Sequence, residues 1–414
     1  MSIELKIIRG SSEIGGTCIN ISTEKTDIII DMGMPLSDEK RETLNFKKIV
    51  KEDKRQKAVL LSHGHQDHYG EMNEIPKTVP VFMSEGARSI IKISNLFLRD
   101  MCIEIENIQI FEDRKPFGIG DIKITPYRVN HSAFDSYAFL FEHEDKQIFF
   151  SGDFRGVAGR EKYLFPKLLK DIPKNINILL LEGTRITRNN EKYPTEEAVE
   201  KALIKIFEKQ ENISLITVAS QNIDRLVSIY KATTKAKKEL IIDPYTAFVL
   251  EELGNKSKTL PQYDWRNIRV YFSPNQTKVL LDNGYKENVY RYRKSKITSD
   301  EMAERKKDLV FLFKDNRGSR KFFDRLYPLK NANFIWGLWE GYLEDSDLQD
   351  LCKEKEMNFY HIHTSGHGGV NEMERLVNAV NPKTVIPVHT QEPEKYKEYF
   401  SNVTILPDNK PLKI

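Results

Sequence analysis

No apolar run in the 414 residues approaches the roughly twenty that would span a bilayer, and Met1–Arg9 has no basic end leading into an apolar stretch. Neither a membrane-embedded nor an exported protein is expected, and the cytoplasm is the expected compartment. Cysteine is scarce. Cys18, Cys102 and Cys352 are scattered and odd in number, which excludes a close pair for a metal or redox switch and predicts buried small hydrophobes in a reducing compartment. Net charge is scarce as well: +3 is too little to attract nucleic acid from a distance, so affinity for phosphate must come from a local patch or bound metal. No repeat, low-complexity tract or Gly/Ser linker interrupts the chain. The 39% hydrophobic and 30% charged residues fit a folded globular protein, and the length exceeds what one core usually serves, so two domains are expected.

What is plentiful is histidine at strand ends. Of nine histidines, eight (His63, His65, His68, His131, His361, His363, His367 and His389) fall in four short stretches, and only His143 stands apart. The first stretch, Ser62-His-Gly-His-Gln-Asp-His-Tyr-Gly70, follows the apolar run Ala58–Leu61, where a buried strand runs out into a loop. In an extended loop His63 and His65 project to one side, while Asp67 and His68, one turn further on, face a second point. Imidazole and carboxylate are ligands for zinc and related metals, so the spacing suits two cations.

His-x-His-x-Asp-His resembles the signature of the metallo-β-lactamase superfamily, and the family's other parts follow in order. His131, in Pro126-Tyr-Arg-Val-Asn-His131, resembles the third ligand of the first metal. Asp153, in Phe149-Phe-Ser-Gly-Asp153, resembles the carboxylate that bridges both, and His389, in Val385-Ile-Pro-Val-His389, the last ligand of the second. The resemblance implies an α/β fold, an αββα sandwich, holding two divalent ions through His63, His65, Asp67, His68, His131, Asp153 and His389. Zinc is the expected metal, with manganese as the alternative. The oxygen-reducing di-iron branch carries glutamate where His65 stands, so hydrolysis is favoured over redox chemistry.

Ile178-Leu-Leu-Leu-Glu182-Gly-Thr184 is another apolar strand ending in an acid, after which about two hundred residues pass before His389, enough for a second domain. Thr195, Glu196 and Glu197 suit the start of a helix with Val199, Ala202, Leu203 and Ile206 on one face. Strand-like runs follow at 213–218, 240–242, 268–272, 309–313 and 333–336. Alternating helix and strand signals predict a small parallel sheet. A metallo-β-lactamase scaffold with such an insertion resembles the β-CASP nucleases. The expected division is 1–187 and 346–414 for the two parts of the metallo-β-lactamase domain, and 188–345 for the inserted β-CASP domain.

Within that family Glu182 matches the motif A acid, His367 in Ser365-Gly-His367 motif B, and His389 motif C. A histidine at motif C is typical of members that cut RNA, where the DNA-cutting branch tends to have valine. Ala219-Ser-Gln-Asn-Ile-Asp-Arg225 and His363-Thr-Ser365-Gly-His367 resemble ribonuclease J segments, which makes Ser220, Asn222, Arg225, His363 and Ser365 candidate phosphate-binding residues; Arg225 is equally readable as a structural ion-pair partner. Three features depart from that subfamily: Glu-Gly-Thr at motif A, Thr390-Gln391 after motif C, and Trp336-Gly-Leu-Trp-Glu-Gly341 in place of a Thr-Gly-x-Gln-Gly stretch. The expectation is a ribonuclease J-like protein without the C-terminal domain.

The resemblance implies a two-metal ribonuclease leaving 5′-phosphate and 3′-hydroxyl ends, with Asp67 in the catalytic centre, His367 as general acid and Glu182 orienting it. Single-stranded RNA is the expected partner, a membrane is not, and a homodimer is the assembly the family allows. Exonuclease and endonuclease readings both stand, as do a DNA nuclease of the same family and a non-catalytic RNA-binding subunit; a small-molecule hydrolase would need neither the insertion nor His367. Tyr290-Arg-Tyr-Arg-Lys-Ser-Lys296 reads either as a surface that stacks bases and pairs phosphates or as a solvated helix face with inward tyrosines. His361 and His143 have no assigned role.

Overall fold

The computed structural model describes residues 2–36, 42–51, 53–98, 102–156, 159, 161–188, 192–314, 320, 322–344 and 346–414. They divide into two compact units, Met1–Asn190 with Gly366–Ile414, and Glu191–Ser365.

Period-two alternation builds the first unit. In strand Thr26–Ile30, Ile28 and Ile30 enter one apolar cluster and Ile29 another; in Gln56–Leu60, Ala58 and Leu60 part from Val59 in the same way. From a second sheet, Ile148, Phe150, Leu180, Ile386 and Val388 join the cluster of Ile28, while Phe149, Leu179, Leu181 and Val385 face a third. Successive strand side chains point to opposite faces. The shared cluster is therefore the interior between two sheets, and each outer cluster lies under helices. Helix Glu85–Phe97 contributes Ala87 and Ile91 on one side. Leu164–Asp171 and Val370–Val380 contribute Phe165, Leu168, Met373 and Leu376 on the other. The result is the expected αββα sandwich, built on sheets of seven and six strands.

Strand direction decides where chemistry can gather. Lys146–Phe150, Ile178–Glu182 and Thr384–Val388 are parallel neighbours, so their carboxyl ends share one edge. Ile122–Val129 points the same way, because it is antiparallel to Ser136–His143, which is antiparallel to Lys146–Phe150. Asp153, Glu182, His389 and His131 lie at or just past these ends. In the other sheet Thr26–Ile30 and Gln56–Leu60 are parallel, and Asp31 and His63 follow them.

The inserted unit is a wholly parallel seven-stranded sheet, ordered Lys296–Ile297, Ile268–Tyr271, Glu239–Ile242, Leu309–Leu312, Ser214–Thr217, Asn333–Trp336, Asn358–His361. The five expected runs are among them. Helix Glu196–Lys209 begins where expected, the Thr195 side chain accepting a bond from the Ala198 N–H. Two strands escaped the sequence reading: one has two residues, and the other, Asn358–His361, is a half-exposed edge with little apolar signal. Because Asn358–His361 pairs with Asn333–Trp336, residues 346–365 pack in the inserted unit rather than with the returning chain where they were expected. Cys18 and Cys352 are buried as expected, whereas Cys102 is half-exposed in an irregular segment. Among the described residues no helix is long and apolar enough to cross a membrane.

Arg225 ties this unit together. Its guanidinium is 0% exposed, donates from Nε to both carboxylate oxygens of Glu196 at 3.2 and 3.0 Å, and reaches the carbonyls of Gly337 and Thr364 at 2.9 and 3.2 Å. Arg225→Met leaves Glu196 charged, buried and alone, and is expected to cost about 3–5 kcal/mol in denaturant unfolding. Adding Glu196→Leu should recover most of the loss, since an apolar pair of similar volume carries no uncompensated charge.

Candidate functional site

The histidine motif is clamped by backbone bonds before any ligand is considered. Met32 N–H donates to the His68 carbonyl at 2.8 Å, Met34 N–H to Gln66 at 3.0 Å, and Thr17 N–H to Asp67 at 3.1 Å. A Cβ on Gly33 would lie 1.7 Å from the Asp67 carbonyl oxygen, so only glycine lets these segments meet. His65 is extended and Gln66–Tyr69 makes one helical turn, which sends Asp67 and His68 toward a different point from His63 and His65.

Around those two points the expected residues converge. Donor atoms of His63, His65 and His131 lie within 4.8 Å of one another, as do those of Asp67, His68 and His389. Asp153 stands between: its Oδ2 is 3.2 Å from His68 Nε2, 3.8 Å from His63 Nε2 and 3.9 Å from His131 Nε2. Its Oδ1 is 3.7 Å from His389 Nδ1.

The donor set fits divalent cations. Nε2 of His63 and His389 is buried with no hydrogen-bond partner, although each ring is held through Nδ1; the His68 ring is held through Nδ1 as well, its Nε2 facing Asp153. Ser62 Oγ lies 3.0 Å from His63 Nδ1, Asp31 Oδ2 2.8 Å from His68 Nδ1, and Thr17 Oγ1 2.9 Å from His389 Nδ1. His131 is held likewise by the Gly366 carbonyl at 2.7 Å. Buried lone pairs on oriented rings are what a cation completes. Burial pushes the His65 pKa down to about 4 and holds those of His63 and His131 well below the usual range, leaving these rings neutral. Burial also lowers that of His68, but Asp153, Asp67 and Asp31 together raise it well above the usual value.

Three positioning residues escaped the sequence reading. Asp31 accepts bonds from the Ser62 N–H and hydroxyl, each at 2.7 Å, as well as facing His68. Its signal was available, an acid closing the run Ile28-Ile29-Ile30 as Asp153 closes another. Ser62 and Thr17 carry no such signal, because a hydroxyl near a histidine motif is too common to single out.

Glu182 and His367 form a pair at the border of this cluster, His367 Nδ1 lying 3.9 Å from Asp153 Oδ2 and its donor atom grouping with those of His131 and Asp153. The Glu182 carboxylate is 1% exposed and accepts from the backbone N–H of Phe154 at 3.2 Å and of Thr184 at 3.1 Å. His367 Nδ1 lies 3.1 Å from Glu182 Oε1. Burial alone would lower the His367 pKa; Glu182, with Asp153 and Asp67 behind it, raises it instead.

The five candidate phosphate-binding residues lie in the inserted unit and are engaged unequally. Ser220 is buried, with Oγ 2.8 Å from Thr246 Oγ1, and Asn222 caps a helix by accepting from the Arg225 N–H. A phosphate would have to displace Glu196 and two carbonyls to reach Arg225, so its ion-pair reading prevails. His363 and Ser365 remain half-buried. His363 Nδ1 donates to the Gly337 carbonyl at 3.1 Å, and burial with the Arg225 charge pushes its pKa down to about 4. In the 290–296 stretch each reading holds for one ring. Tyr292 is buried with its hydroxyl on Glu251, whereas Tyr290 is 45% exposed between Lys286 Nζ at 5.5 Å and Arg293 Cζ at 5.2 Å. His361 Nε2 meets the Leu338 carbonyl, and His143 Nδ1 that of Asp121.

Residues 26–206 match a family model described as a beta-lactamase superfamily domain, and residues 354–404 one described as a Zn-dependent metallo-hydrolase RNA specificity domain. Ribonuclease J of Mycoplasma genitalium is 24% identical across 92% of this chain and 66% of its own length. Ribonuclease J of Pyrococcus abyssi is 22% identical across 94% of this chain and 89% of its own. The chain thus spans just under two thirds of the mycoplasmal relative and most of the archaeal one. A crystal structure of a protein of unknown function from Enterococcus faecalis V583 covers 100% of both chains with a TM-score of 0.77 at 19% identity, a likeness of fold.

Asp31→Asn keeps the shape but removes the charge that sets the His68 ring. Affinity for zinc, read by chelator competition, is expected to fall about 10–100-fold with the circular dichroism spectrum unchanged; wild-type affinity would remove the role given to Asp31. Gly33→Ala is expected to abolish binding at the Asp67, His68 and His389 point.

Proposed function

Because the chain belongs to the metallo-β-lactamase superfamily, among its ribonuclease J-like members, we propose that it is a metal-dependent ribonuclease that hydrolyses phosphodiesters to 5′-phosphate and 3′-hydroxyl ends. The observation that carries the reading is the Glu182–His367 pair: His367 borders the cluster, 3.9 Å from Asp153, but its Nδ1 is engaged by Glu182 at 3.1 Å, which suits it to handling a proton. The match of residues 354–404 to an RNA specificity domain supports RNA as the substrate.

His63, His65 and His131 would hold one cation, and Asp67, His68 and His389 a second, with Asp153 between them. Bound divalent ions would supply an activated water and offset the charge that grows on phosphoryl oxygens. The chain's own contribution is the proton. Glu182, fixed by two backbone N–H groups, accepts from His367 Nδ1–H and stabilises the imidazolium. The protonated ring then donates from Nε2 to the departing 3′-oxygen. Asp31, Ser62 and Thr17 act earlier, by fixing ring orientation so that no reorganisation is needed as charge develops.

His367→Ala is expected to lower RNA cleavage by about 10²–10⁴-fold with metal content retained; unchanged turnover would remove the acid from the scheme. Glu182→Gln should move the alkaline limb of the pH–rate profile to lower pH, because the charge that raises the His367 pKa is gone. The substrate itself is tested with one RNA carrying either a 5′-monophosphate or a 5′-hydroxyl, labelled at each end, and a matched DNA. Mononucleotides released preferentially from the 5′-monophosphate form indicate a 5′ exonuclease, and internal fragments indifferent to the end an endonuclease. Cleavage of DNA alone, or of neither, overturns the ribonuclease reading.

A further inference from the structure

Three of the four residues Gly366-His367-Gly368-Gly369 are glycines, so the residues beside His367 have no side chains to pack it in place. Gly366 has no alternative, because a Cβ there would lie 2.3 Å from Ser132 Oγ. Backbone this free keeps one conformation only if other groups hold its polar atoms. His131 Nδ1 donates to the Gly366 carbonyl at 2.7 Å. The Gly368 N–H donates to the Phe154 carbonyl at 2.6 Å, and the Gly369 N–H to Glu372 Oε2 at 3.1 Å. Phe154 is engaged twice, since its own N–H donates to Glu182.

The His367 carbonyl is taken by Arg185. This arginine follows Glu182 by three positions, in the turn after strand Ile178–Glu182. Its Nη1 donates to the His367 carbonyl at 3.2 Å and its Nη2 to the Arg188 carbonyl at 3.1 Å. The Arg188 N–H donates back to the Arg185 carbonyl at 3.1 Å, which closes the turn. One planar fork therefore joins this turn to the backbone of His367, a geometry that arginine has and lysine lacks. The strand end that carries Glu182 thus reaches His367 at two places, the ring through the carboxylate and the backbone through Arg185. A single hydrogen bond at Nδ1 sets a distance but leaves the ring free to swing about it. Fixing the carbonyl as well sets the direction of Nε2.

We propose that Arg185 is a positioning residue: by holding the His367 carbonyl it aims His367 Nε2 at the departing oxygen, and it acts on cleavage only through that ring. The role rests on His367 as the general acid. Direct contact with a substrate phosphate is the competing role, but Nη1 and Nη2 each already donate to a carbonyl.

Leaving groups separate the outcomes. A 3′-alkoxide needs a proton as it departs, whereas p-nitrophenolate leaves without one, so a misplaced acid slows RNA cleavage more than hydrolysis of bis(p-nitrophenyl) phosphate. In the full-length metal-loaded protein, Arg185→Met is expected to lower kcat on RNA about 10–100-fold with KM held, and to slow the ester far less. Arg185→Lys, which keeps one donor for the carbonyl, should recover part of the loss. In a His367→Ala background Arg185→Met should cause no further fall, because the group it acts through is gone. An equal fall on both substrates, a raised KM with kcat kept, full activity in Arg185→Met, or a further fall in the His367→Ala background overturns the assignment. Should Arg185→Met fail to fold, Arg185→Gln is read by the same comparisons. If His367→Ala slows both substrates alike, the acid reading fails and the role of Arg185 with it; if His367→Ala separates the substrates and Arg185→Met does not, Arg185 alone loses its role. Should the wild type cut DNA and not RNA, the ribonuclease reading fails, while the same comparison made with DNA still decides Arg185.

Discussion

Buried imidazoles gathered at one point set the terms for the first unit. Nε2 of His63 and of His389 is buried with no hydrogen-bond partner, at a cost of about 1–3 kcal/mol each, and the His68 ring is held between the carboxylates of Asp31 and Asp153. Against the roughly 5–15 kcal/mol by which a domain is stable at all, that cost is considerable. Such a cluster persists only if the surrounding fold is rigid enough to hold it and if something completes it. The rigidity is visible in the parallel strands that end on one edge, the backbone bonds from residues 17, 32 and 34 to the histidine motif, and the Gly33 contact that allows them.

The carboxylates around this cluster divide by what they touch. Asp153 faces His63, His68 and His131 at once; burial raises its pKa, but the charges of His389, His68 and His367 and a hydrogen bond from His68 hold it well below the usual carboxylate range. Asp31 meets only the far side of His68 and the Ser62 groups, so it sets an orientation. Glu182 has two backbone donors and one imidazole, the setting that suits the proton-handling role proposed for it. At strand ends of the two sheets, three acids stand in three different settings because their hydrogen-bond partners differ.

Much of the first unit was legible in the sequence because one pattern recurs: an apolar run buried on both faces, then a histidine or acid. Ile178–Glu182, Phe149–Asp153 and Val385–His389 all follow it, and strand direction brings their ends together. What the pattern could not supply was partners far away in the chain. Asp31 and His68 are 37 positions apart, and Thr17 and His389 372 apart, and nothing local marks either pair. The boundary after Ser365 was missed for a different reason. Asn358–His361 is an edge strand with no fully buried residue on either face, and such a strand leaves almost no hydrophobic signature.

The inserted unit illustrates why residue type alone does not separate scaffold from site. Arg225, at the start of a helix after a strand, had the composition of a phosphate ligand, but it is 0% exposed and bonded to Glu196, Gly337 and Thr364. Thr217 has the bland composition of a strand end, but its hydroxyl is buried with no partner beside a cleft. Burial with partners fixes a side chain as scaffold, because any ligand must first break bonds of comparable strength. Burial without them leaves a free-energy cost in the unliganded protein, and a ligand that removes it binds more tightly by that amount. In this unit the second condition is met at Thr217 and not at Arg225.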